Sequence, residues 1–151
     1  MLIRNLKAED YPAVLELHTK LDEYHVEMRP DYFVRRDVVY PQEHFLAYPE
    51  CLEMGAFSDE GKLVGVVRAT LWDKSGMRED LKTVCLDDIY VLPEYRRKGI
   101  AAKLFDAVES WSREQGAIRL ELHTWDFNKG AIAMYDAKGM TPQRYVFEKN
   151  L

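Results

Sequence analysis

The sequence lacks most of the features that mark specialised classes of protein. It has two cysteines, Cys51 and Cys85, in 151 residues, and they follow no ligand spacing and make no disulfide framework. Reduced thiols in a cytoplasmic protein are the expectation that follows. No apolar run approaches the roughly 20 residues of a membrane-spanning helix, and the opening MLIRNLKAED has no apolar signal core. Internal repeats and low-complexity tracts are absent. Positive charge is also in short supply: 21 Lys and Arg against 26 Asp and Glu leave a formal net charge of −5. Composition therefore gives no reason to expect nucleic acid, and any anion site must be local. What remains is a chain with 47% hydrophobic residues, ordinary for a globular protein, in a length that suits one domain, 1–151.

The pattern along the chain mixes both periodicities. MLIRNL alternates like a short strand, and the next segment repeats Val14, Leu17, Leu21 and Tyr24 at helical spacing. Asp10 is placed to cap that helix, with Pro12 in its first turn. MRPDYFVRRDVVYPQEHF reads as short helical pieces joined by loops. CLEMGAFSDEGKLVGVVRATLW reads as a hairpin turning at SDEG, and SGMRED as loop. TVCLDDIYVL is a strand stopped by Pro93. Residues 99–115 form a helix with Ala101, Leu104, Phe105, Val108 and Trp111 on one stripe. AIRLELHTW is a further strand, NKGAIAMYDAKG a short helix ending at Gly139, and QRYVFEKNL a final strand. This order predicts an α+β fold on a single mixed sheet.

The stretch PEYRRKGIAAKLFDAVESW, residues 93–111, carries the chemistry. A helix N-terminus exposes unpaired N–H groups and the positive end of the dipole, so a strand that turns sharply into one offers an anion site. Gly99 opens backbone conformations closed to other residues, and Ala101 keeps the next turn small. Arg96, Arg97 and Lys98 add cations suited to phosphate oxygens. The loop is too short for the cradle of a nucleoside triphosphate and suits a diphosphate. The competing reading is a solvated basic turn.

VLPEYRRKGIAAKLF resembles the signature of the GNAT N-acetyltransferase superfamily, [Q/R]-x-x-G-x-[G/A] after a strand ending in V-x-P, through Arg96, Gly99 and Ala101. NKGAIAMYDAKGM is similar to a second family pattern through Asn128, Ala131, Tyr135, Gly139 and Met140. Both stand in order, one strand apart, and the element order fits from Leu2 to Leu151. LDDIYVLPEYRRKGIA further resembles aminoglycoside 6'-N-acetyltransferases.

The resemblance implies a mostly antiparallel central sheet flanked by helices, with splayed central strands. Backbone groups of Ile89 and Val91 would then lack sheet partners, and the peptide-like arm of acetyl-CoA supplies them. The implied contacts to acetyl-CoA are Ile89, Tyr90, Val91, Arg96, Arg97, Lys98, Gly99, Ile100, Ala101 and Asn128, the last either bonding coenzyme A or capping its helix. The implied reaction is direct acetyl transfer to an amine, without a metal.

Alternation places Cys85, Asp87, Ile89 and Val91 on one face of their strand, and Leu86, Asp88 and Tyr90 on the other. By the resemblance, which sets a proton acceptor on this strand, Asp87 accepts the amine's proton, with Glu121 and His123 as reserves; otherwise it binds the ammonium or caps a neighbouring loop. Tyr135, by the resemblance, gives a proton or hydrogen bond to the leaving thiolate; otherwise it is a core aromatic. His18, Asp22 and His25 share a helix face at metal-like spacing, but no fourth ligand is visible. Asp22, Glu23 and Glu27, with His25, lie where the resemblance implies an acceptor pocket, and make either a pocket for a cationic amine or a solvated face. The expected acceptor is a small molecule, a peptide or protein amine being the alternative, as is a non-catalytic acyl-CoA-binding module. A homodimer is the assembly considered; nucleic acid and membrane are not expected partners.

Overall fold

The computed structural model describes residues 1–73 and 82–151; the SGMRED segment lies outside the described residues. The elements run β1 (Leu2–Asn5), α1 (Tyr11–Met28), β2 (Cys51–Phe57), β3 (Leu63–Asp73), β4 (Lys82–Val91), α2 (Ile100–Glu114), β5 (Arg119–Leu122) and α3 (Lys129–Ala137), with short 3-10 turns between some of them. The five strands form one sheet in sequence order. β1 to β4 pair antiparallel, and β4 pairs parallel with β5. The sheet is mixed, as expected.

Alternation along the strands sorts the two faces. Val67, Ala69, Val84 and Leu86 lie on the face that meets α2, whose Leu104, Phe105 and Val108 are almost wholly buried. A Cβ on Gly65, on this same face, would stand 3.3 Å from Leu104, so strand and helix meet too closely for a larger residue. Each fully buried aliphatic or aromatic side chain here contributes ~1.5–3 kcal/mol. The opposite face carries Glu53, Arg68, Thr70 and Cys85, and is covered by α1 and residues 29–50. That face is polar within its apolar rim. Val14 and Leu17 bury one side of α1, while His18 and Asp22, farther along the helix, are buried polar residues.

Several expectations are corrected. Asp10 stands at the α1 N-cap but makes no capping bond; its carboxylate takes the Lys7 N–H and the Arg4 guanidinium instead. The aromatic stretch before Phe45 holds one 3-10 turn, Gln42–His44, and is otherwise irregular. The strand expected over AIRLELHTW is only Arg119–Leu122. QRYVFEKNL forms no strand, and Tyr145, Val146 and Phe147 stand in solvent. Its strand-like composition finds no strand to pair with among the described residues, and pairing decides whether such a segment becomes a strand.

Candidate active site

β4 is the centre of the site. Its pairing with β5 covers Thr83 to Leu86, after which β4 runs on to Val91 with no strand on that side among the described residues. Leu92 N–H reaches the Val64 carbonyl at 3.0 Å, and antiparallel pairing turns alternate residues the other way. Ile89 and Val91 therefore direct backbone N–H and C=O toward the open edge. The Val91 carbonyl meets the Arg96 Nε there at 2.9 Å. Arg96 also lies 5.5 Å from the Tyr90 ring centroid.

Pro93 ends the strand, and the chain turns through Arg96–Gly99 into α2. Arg97 and Gly99 both take left-handed backbone angles, with φ 62° and 75°. An arginine in this region is uncommon and costs free energy; alternating such residues gathers successive N–H groups into an anion-binding concavity. Gly99 is the N-cap of α2 and offers no side-chain cap. A Cβ built there meets nothing within 4 Å, so glycine is required by the backbone angle, and the space above it is open. Lys98 curls back, its Nζ 3.3 Å from the Glu94 carbonyl. Ile100 is buried as an anchor of the helix start, and Ala101 is half-buried.

The other half of the site comes from a β-bulge. Arg68 on β3 pairs with Asp88 while Ala69 pairs with Leu86, so Asp87 is an extra residue in β4. A bulge sets two consecutive side chains opposite one residue and turns them the same way. Asp87 and Asp88 thus join Cys85 and Tyr90 on the α1 face, whereas Ile89 and Val91 face α2. The expected alternation is corrected by this one residue. Asp87 accepts the Thr70 hydroxyl at 2.5 Å and lies 3.6 Å from the Arg68 guanidinium. Burial nonetheless pushes its carboxyl above the ordinary range, against the pull of Thr70 and Arg68. Arg68 also approaches Glu53 at 3.7 Å and the Cys51 sulfur at 3.3 Å.

Across from the bulge, α1 presents His18, Asp22 and His25. Burial lowers the pKa of both histidines, with Asp88 pulling the other way, so Asp88 lies within electrostatic reach of both. His18 packs on the Tyr40 ring, and His25 stacks on Phe33 at 5.2 Å. Asp22 is buried and held by Arg36 at 2.5 Å. Glu27 is exposed, and the structure does not bring it to this cluster. Among the described residues Asp88 has no cation within ion-pair distance.

Tyr135 on α3 is 8% exposed and lies 6.1 Å from the Phe105 ring. Burial pushes its hydroxyl up to about 12, so it is protonated at neutral pH and able to donate. Asn128 occupies the α3 N-cap without making a capping bond. Glu121 pairs with Cys85 on β5, and His123 contacts Arg144 on the surface.

Residues 11–140 match the family described as "Acetyltransferase (GNAT) family". The chain belongs to the GNAT acetyltransferase family. The chain is 32% identical over 143 residues to thialysine N-epsilon-acetyltransferase of Bos taurus, covering 92% of this chain and 83% of that one. It is 29% identical over 112 residues to aminoglycoside N(6')-acetyltransferase type 1 of Acinetobacter genomosp. 13, with 72% and 77% covered. Among solved structures, a tetramutant of the BH1408 protein from Bacillus halodurans superposes over the whole of both chains with TM-score 0.91 and 26% identity. An aminoglycoside N-acetyltransferase in complex with CoA shares the fold at TM-score 0.74 and 21% identity, over 99% of each chain.

For this GNAT N-acetyltransferase, sequence reading anticipated the turn into α2 and the open edge of β4, and it placed Tyr135 on the short helix that is α3. It missed Arg68, Thr70 and Arg36, which surround the carboxylates. Nothing local marks them, because strands and a loop distant in sequence bring them together. A pair of adjacent aspartates within an apolar strand was the available signal, since side by side in a bulge they need polar neighbours.

Proposed function

We propose that this N-acetyltransferase takes acetyl-CoA as its donor and acetylates the primary amine of a small cationic molecule. The donor's chemistry is a thioester-bound acetyl group. The chain's fit to it rests on the open β4 edge, the concavity at Arg97 and Gly99, and the uncapped start of α2. Ile89 and Val91 would bond the peptide-like arm, and the first amides of α2 with Arg96, Arg97 and Lys98 would hold the pyrophosphate. Tyr90, Ile100 and Ala101 would shape that path, and Asn128, which makes no capping bond, would offer its side-chain amide to the donor.

The observation that carries the acceptor reading is Asp88, a half-buried carboxylate beside α1 with no cation within ion-pair distance among the described residues. A substrate ammonium would supply the missing charge, with Asp22 and His25 nearby. Glu27 belongs to the outer approach of such a pocket. Asp87 would take the proton released as the amine attacks, directly or through water, since its raised pKa improves its match to that task. The Tyr135 hydroxyl would donate toward the departing sulfur. The names of the thialysine and aminoglycoside relatives point to small-molecule amines as well.

The test is release of free thiol from acetyl-CoA in the presence of polyamines, aminoglycosides, amino acids with side-chain amines, and peptides. Turnover with a small amine and none with peptides is expected. Turnover confined to peptides overturns the acceptor class. Coenzyme A binding without turnover on any amine would make the protein a binding module.

A further inference from the structure

Glu53 is a buried carboxylate in β2, set between Leu52 and Met54. Burying a charge costs free energy unless it is paired, so its neighbours decide what it does. Register brings Arg68 of β3 directly opposite Glu53, and Arg68 in turn opposite Asp88, with Asp87 beside it in the bulge. Residues directly opposite share a face of the sheet. One guanidinium thus stands between two carboxylates on neighbouring strands.

Neither carboxylate holds it outright. Arg68 lies 3.7 Å from Glu53 through Nε and 3.6 Å from Asp87 through Nη1, against about 2.7–2.9 Å for a charge-assisted hydrogen bond. Among the described residues the buried Nε meets no hydrogen-bond acceptor, and Nη2 is turned to the Cys51 sulfur at 3.3 Å. Glu53 is engaged from the covering segment instead. The Leu46 N–H donates to its carboxylate at 3.2 Å, and Leu46 stands at φ 54°, a left-handed angle uncommon for leucine. Asp87 is engaged in the same way by the Thr70 hydroxyl. Each carboxylate is fastened to a neutral donor, with Arg68 shared between them. Burial outweighs the pull of Arg68 on both, and each carboxyl lies above its ordinary range, as expected where one cation serves two. The other titratable groups facing this row are Tyr40 in the covering segment, His18 on α1, Asp88 and Cys85 on β4, and Glu121 beside Cys85 on β5.

We propose that Glu53 is a positioning residue for Asp87, taking up part of the Arg68 charge so that Asp87 is left less stabilised as a carboxylate and readier to accept a proton. The consequence for turnover rests on the reading of Asp87 as the proton acceptor; the sharing of Arg68 does not.

NMR titration of the Asp87 carboxyl carbon in the full chain, without substrates, tests the sharing. Glu53→Gln keeps the shape and an acceptor for Leu46 but loses the charge, so Asp87 should titrate lower by about half a pH unit or more. Arg68→Gln should instead raise the titration of both Asp87 and Glu53. An Asp87 titration unmoved or raised in Glu53→Gln overturns the proposal, as does an Arg68→Gln effect confined to one carboxyl. Should Glu53→Gln fail to fold, Asp87→Asn reads the same coupling from the other side. Glu53 must then titrate lower, and an unmoved Glu53 overturns the proposal. The pH profile of turnover separates the two readings. An acidic limb that falls with the Asp87 titration in Glu53→Gln supports both. A limb that stays while the titration falls supports the sharing and refutes Asp87 as the proton acceptor.

Discussion

Thr70 on β3 donates its hydroxyl to Asp87 on β4, and the bulge that allows this sets Asp87 and Asp88 on one face. Burial and hydrogen bonding therefore act on Asp87 in opposite directions, and burial is the larger. As a proton acceptor Asp87 must be ionised. If Asp87 accepts the proton, its raised pKa should place the acidic limb of the turnover profile above the ordinary carboxylate value of 3.8. Asp87→Asn should lower turnover by roughly 10²-fold and abolish that limb. Asp88→Asn should leave turnover largely intact and raise the acceptor KM. The reverse assignment in steady-state kinetics would exchange the two roles.

Arg68 is a positioning residue for Asp87. Its charge favours the ionised carboxylate, so Arg68→Gln should move the acidic limb to higher pH. Arg68→Lys keeps the charge and should restore part of the shift. A pH profile of turnover distinguishes this from simple loss of stability, which would not displace the limb.

Gly99 takes φ 75° with open space above it, so substitution brings strain in the free protein without a clash. Gly99→Val should cost about 1–2 kcal/mol in denaturant unfolding. It should also remove most of the rise in melting temperature that acetyl-CoA confers on the native protein. Gly99→Asn, which tolerates the left-handed region better, should retain more of both. An undiminished ligand-induced rise in a folded Gly99→Val protein would refute the placement of the pyrophosphate.

Tyr135→Phe keeps the packing against Phe105 and removes only the hydroxyl. Turnover should fall on the order of tenfold or more, while the acetyl-CoA Kd, read by calorimetry, changes little. Equal turnover in the two proteins would reduce Tyr135 to a core residue.

The Arg4 guanidinium holds the Asp10 carboxyl below its ordinary value through bonds of 2.7 and 2.9 Å. A lowered native pKa gives stability that is present above the unfolded value and lost as pH falls through the native one. Asp10→Asn should therefore lower the melting temperature at neutral pH. The difference between variant and parent should shrink as pH falls below 3.8. A difference that persists unchanged in acid would remove the ion pair as its cause.

Local signals read well where a residue's role is local. Gly99 was legible because one backbone angle demands it, and Pro93 because it ends a strand. The α2 stripe of Leu104, Phe105 and Val108 was legible because one periodicity fixes one buried face. Asp87 and Asp88 were legible as a pair but misassigned in register. Alternation assumes an unbroken ladder, and the bulge depends on β3 opposite. The surroundings of Asp22 were not legible, since Arg36 reaches it from an irregular segment.

By itself, the sequence determined the family, the order of elements from β1 to α3 and the sharp turn into α2, because these rest on short-range periodicity and on backbone requirements within a few residues. Only the tertiary structure decided which side chains share the face beneath α1, that Asp88 has no cation within ion-pair distance among the described residues, and that residues 143–149 pair with no strand among them. Each of those depends on pairing between distant segments. A strand-forming run becomes a strand, and a carboxylate becomes a site, only through what the fold sets beside it.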